Sequence, residues 1–81
     1  MTFELYQRVA LNCDLNEYQL KQGDVATLID FVPHPSNGSE GCVLEVFSAI
    51  GESIAVVIVP ITDIKPLKNH EILSVRSLVE I

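Results

Sequence analysis

A chain of 81 residues is enough for one domain with a modest core, and 48% hydrophobic against 20% charged residues takes it out of the disordered class. Eleven acids against five bases leave a formal charge of −6, and Arg8, Lys21, Lys65, Lys68 and Arg76 are scattered, so the basic block that nucleic-acid binding draws on is missing. No apolar run approaches the roughly 20 residues of a membrane helix, and no basic-then-apolar leader opens the chain, which makes a cytoplasmic protein without a membrane partner the expectation.

In chain order, Val9, Leu11 and Cys13 alternate with Arg8, Ala10 and Asn12, which predicts a short strand of period two. Asp14 to Glu17 has the spacing of a capping box and predicts one helical turn that lowers Leu15, Tyr18 and Leu20 over an end of the fold. Lys21-Gln22-Gly23-Asp24 is a turn, with glycine supplying the conformational freedom and Asp24 a hydrogen-bonding side chain. Val25 to Val32 follows as a strand, with Val25, Thr27, Ile29 and Phe31 on one face and Ala26, Leu28, Asp30 and Val32 on the other. Both faces are largely apolar, so this strand is expected to be central or strongly bent.

Pro33 to Gly41 holds two prolines, an Asn-Gly pair and a second glycine, and is a loop longer than a tight hairpin needs. Cys42 to Phe47 alternates as the next strand, and Ser53 to Val59 returns after a turn around Gly51. That returning strand is apolar at both parities and is expected to be buried; uncovered at a sheet edge it would invite aggregation. Pro60 stops it, and Ile61 to Ile64 predicts a 3₁₀ turn before Lys65-Pro66-Leu67. In the tail, Leu73, Val75, Val79 and Ile81 share a parity, which predicts an added C-terminal strand, pairing within the chain or with a neighbour.

The fold class is therefore mostly β: a small SH3-like five-stranded barrel over residues 1–67, with a 3₁₀ turn before its last strand, and an extension strand over 68–81. The residues Asp14-Leu15-x-Glu17, Leu20-x-x-Gly23-Asp24-Val25-x-Thr27, Leu44-Glu45-Val46 and Gly51 with its following apolar strand carry a resemblance. Between about Tyr6 and Leu67 the chain resembles a family of small uncharacterised bacterial SH3-like proteins, whose pattern is similar to Asp-Leu-Pro-Glu, Gly-Asp-x-Gly-Thr and Val-Glu-Phe. Asn16 stands where that pattern has proline, Ala26 where it has its second glycine, and the loop at 33–41 is longer. The resemblance implies a fold and no activity. It also implies a setting beside toxin-like or other accessory genes.

Chemistry has little foothold in this sequence. His34 and His70 lack a neighbouring nucleophile motif, the glycines lie in separate turns, and no metal-ligand spacing occurs, so neither an enzyme nor a cofactor is expected. Cys13 and Cys42 form no Cys-x-x-Cys pair and read as small buried hydrophobes. The high apolar share in so small a body predicts a protein-interaction module, self-associating through the tail. His34, Asn37 and Glu40 of the loop and Leu73, Val75 and Val79 of the tail are the expected partner-binding residues. The alternative is an immunity- or antitoxin-type inhibitor of a basic enzyme, with Asp30, Glu40, Glu45 and Glu52 as its acidic face.

Overall fold

The computed structural model describes residues 3–33 and 40–78, and its strands lie where apolar alternation runs between turns. β1 spans Arg8–Leu11, β2 Val25–Val32, β3 Gly41–Phe47, β4 Ser53–Pro60 and β5 Ile64–Pro66. All pairings are antiparallel, and the five strands form one sheet in the order β4-β3-β2-β1-β5. The sheet is open. β4 and β5 are its two edges, joined in sequence by the expected 3₁₀ turn at Ile61–Asp63.

One face of the sheet holds the core. Val9 and Leu11 of β1, Ala26 and Leu28 of β2, Cys42, Leu44 and Val46 of β3, Val57 and Val59 of β4 and Ile64 of β5 pack into a single cluster with Leu20. Residues of both edge strands meet in that cluster, so the sheet curls around its own side chains. The curl has a local cause in β2. Leu28 pairs with Leu44 and Asp30 with Val43, which leaves Ile29 as an extra residue in a bulge. Beyond the bulge the parity inverts: Phe31 turns to the core and Asp30 to solvent, where its Oδ1 accepts the Phe31 N–H at 2.8 Å. The simple alternation expected for this strand therefore holds only up to Leu28.

The helical turn expected after β1 is a 3₁₀ turn spanning Asn16–Tyr18, and no capping box forms it. Asp14 Oδ1 accepts the N–H of Gln22 at 2.8 Å and so ties the turn to the next one. Leu15 and Leu20 close over the core while Tyr18 stays exposed. At the entry to β2, Gly23 adopts φ +92°, Asp24 Oδ2 accepts the Lys21 N–H at 2.8 Å, and Gly23 N–H bonds Leu11 O at 2.9 Å. The base of the long loop is fixed from two sides, because Val32 pairs with Gly41 and the Glu40 carbonyl accepts the Ile61 N–H at 2.9 Å.

The C-terminal strand is a correction. Residues 71–78 make no ladder with the sheet. The nearest edge in sequence is β5, three residues long and ending in Pro66, which has no N–H to donate, so the tail finds almost no template there. A side chain holds the tail instead. Arg76 pairs with Asp24, and Leu78 packs on the core cluster.

Candidate interaction surface

β4 is apolar at every position from Ile54 to Val59, and its two parities meet different surroundings. Val57 and Val59 are buried. Ile54, Val56 and Ile58 point the other way and stay 42%, 54% and 63% exposed. The expectation that this strand is buried on both faces is thus corrected: the outer face of the sheet has no covering layer over β4 among the described residues. Across the ladder Ile58 lies beside half-buried Val43, and Val56 beside Glu45, while Phe47 stays exposed at the end of β3. Glu45 accepts the Ser53 hydroxyl at 2.6 Å, which holds the one acid bordering this strip to the end of β4.

The residues singled out from sequence are not gathered in one site. His34, Asn37 and Val79 lie outside the described residues. Glu40 is exposed at the start of β3. The tail that carries Leu73 and Val75 is anchored through Arg76 at the start of β2, the opposite end of a strand that spans about 25 Å. Leu73 and Val75 are exposed, Val75 almost wholly, without a strand to present them. The four acids are likewise spread. Asp30 and Glu45 face outward from the sheet, whereas Glu40 and Glu52 sit at opposite ends of β3.

The most polar junction is the tail clasp. Arg76 Nε donates to Asp24 Oδ1 at 2.8 Å, Nη2 reaches Oδ2, and Nη2 also donates to the Gln19 carbonyl at 3.1 Å. Burial pushes the Asp24 carboxyl upward, but the Arg76 hydrogen bond, the Lys21 N–H and the two nearby positive charges outweigh it and hold it below its ordinary value. The same carboxylate raises Arg76. These contacts join two distant parts of the chain.

Both thiols are free and held protonated. Cys42 is fully buried, its Sγ is 3.5 Å from the Val59 carbonyl, and burial pushes it up to about 11, helped by Asp63 and Glu40. Cys13 is half-buried, less than expected, and is raised by burial and then by Asp63 and Asp14. No cluster of three or more His, Cys, Asp or Glu side chains suited to a metal occurs among the described residues.

No family model, curated protein or solved structure matches the chain. The surface is therefore read from its own residues. What sequence reasoning missed is the outward row Ile54, Val56 and Ile58. Its signal was present in the double-parity apolar run, which fits an uncovered edge as well as a buried centre.

Proposed function

We propose that this chain is a non-enzymatic protein-interaction module built on an SH3-like barrel, and that the protein it binds is a second copy of itself. The observation that carries the proposal is the strip of Ile54, Val56 and Ile58 on the outward face of an edge strand. Large apolar side chains clustered on a small surface mark a contact site more often than isolated ones do. A five-stranded antiparallel sheet curled on one core, with a 3₁₀ turn before its last strand, supports the barrel reading. Two thiols held in their protonated form fit a role without nucleophilic chemistry.

Sedimentation equilibrium from about 1 μM to about 1 mM covers self-affinities of roughly 8 to 4 kcal/mol. The mass is expected to rise from the 8.9 kDa of one chain to twice that value. A constant monomer mass across the series refutes the proposal. A second reading, an immunity- or antitoxin-type inhibitor of a basic enzyme, draws on the −6 charge and on Asp30 and Glu45, which both face outward. It predicts binding to a basic protein that weakens steeply with added salt.

A further inference from the structure

We infer that two copies join edge to edge through β4, antiparallel, with Val56 facing Val56 of the second copy, so that two sheets become one. This inference rests on the self-association proposed above and adds its geometry.

The two edges of the sheet differ. β5 is three residues long, contains Lys65 and ends in Pro66, all features that discourage pairing. β4 is eight residues long and carries no charge from Ser53 to Pro60. Its backbone phase can be read from one bond. Ile61 N–H donates to Glu40 O in the same register that pairs Cys42 with Val59 and Leu44 with Val57. Antiparallel ladders alternate between bonded and non-bonded pairs, so Val57 and Val59 direct their N–H and C=O toward β3. Val56 and Ile58 direct theirs to the open edge. Ile54 is the extra residue where the register shifts, and it has no partner on β3. Val56 and Ile58 thus present both their side chains and their open backbone groups outward, and the bulge at Ile54 ends this regular stretch.

Their order makes the edge complementary to itself. Ile-x-Val-x-Ile reads the same in both directions about Val56, so a two-fold axis there places Ile54 against Ile58 of the second copy and again Ile58 against Ile54. Side chains of matching shape then meet on one face, the unit from which sheet pairs draw stability. Charge also selects this occupant. A chain of net charge −6 repels its copy, and an uncharged strand is where that repulsion is least. The nearest acid, Glu45, would stand three strand spacings from Glu45 of the second copy, about 14 Å. That exceeds the screening length of about 8 Å at physiological ionic strength. A charged partner, by contrast, finds nothing to pair with between Ser53 and Pro60. The two-fold contact uses the open edge of both copies and so closes on itself.

The test combines a charge with a cross-link in full-length protein. Val56→Lys places like charges on the axis and is expected to weaken self-association about 100-fold or more in sedimentation equilibrium. In a Cys13→Ser background, Val56→Cys is expected to form a covalent dimer under copper–phenanthroline oxidation, since a bonded antiparallel pair has Cα atoms about 5.5 Å apart. Ile54→Cys or Ile58→Cys alone should stay uncrosslinked, and an equal mixture of the two should cross-link. If the wild-type chain dimerises but Val56→Lys dimerises equally well and the cysteine pattern fails, self-association stands and β4 pairing is overturned. If the wild-type chain is monomeric throughout, both proposals fall. Should Val56→Lys unfold, the Val56→Cys cross-link decides alone, because it changes little in size and adds no charge.

Discussion

Removing the Arg76 side chain isolates what the tail clasp contributes. Asp24 and Arg76 lie 52 residues apart and make a two-point contact, with side chains 18% and 33% exposed. Exposed ion pairs contribute about 0–1 kcal/mol, and the forked, partly shielded geometry places this one near the upper end, at about 1 kcal/mol. Asp24→Ala also loses the bond from Lys21 N–H, worth about 1 kcal/mol, so it should cost about 2 kcal/mol in urea unfolding. Arg76→Ala should cost about 1–2 kcal/mol, because the Gln19 carbonyl bond goes as well. The double variant should fall short of the sum by about 1 kcal/mol, the coupling of the pair. Tail exposure offers a second readout: cleavage within residues 68–75 by a non-specific protease should rise about fivefold in Arg76→Ala. The pH dependence follows from the sign of the shift. The folded Asp24 carboxyl lies below its unfolded value, so its contribution is present above about pH 4 and is lost as pH falls through the folded value. The coupling should accordingly weaken as pH falls below the unfolded value. A neutral-pH coupling indistinguishable from zero, or one unchanged in acid, refutes this account of the clasp.

Two further outcomes separate backbone from packing effects. Gly23→Ala should cost about 1–2 kcal/mol in chemical denaturation, because its φ of +92° strains any side chain although the space around it is empty. Gly41→Ala should stay within about 0.5 kcal/mol of wild type, since a Cβ there meets only ordinary contacts at 3.5 Å from the Val32 and Val59 carbonyls. Cys42 makes stability fall in alkali. Its folded value of about 11 exceeds the unfolded one, so its contribution is complete below about pH 8.5 and is lost as pH rises toward 11. Cys42→Ala should reduce that alkaline decline, leaving the smaller part that belongs to Cys13, read as the pH dependence of the urea midpoint.

Most of the fold was legible because its strands alternate cleanly. Cys42, Leu44 and Val46 are buried against exposed or half-buried neighbours, and the Gly23-Asp24 turn has the geometry and bonding its residues imply. The 3₁₀ turn after Pro60 is likewise where the proline stop predicts it. Three features were not legible, each because it depends on distant partners. The bulge at Ile29 exists only relative to the facing strand and reverses the expected sides of Asp30 and Phe31. The β4 run is apolar at both parities, so its pattern cannot tell a central strand from an uncovered edge; the position of β4 in the sheet decides it. The tail has strand-like parity, yet a strand needs a neighbour with open N–H and C=O groups, and the three-residue β5 ending in Pro66 offers few. Arg76, scattered among the bases when read in sequence, becomes structural only once Asp24 is placed beside it.

The double fastening at the base of the loop makes residues 33–40 a tolerant graft position. Gly41 is held by Val32, and Glu40 by Ile61, so the ends of the segment are set by the sheet and not by the segment itself. Doubling its length would add only about 0.6 kcal/mol of closure entropy. A reporter peptide or an epitope inserted there lies at the end of the sheet opposite the Asp24–Arg76 clasp.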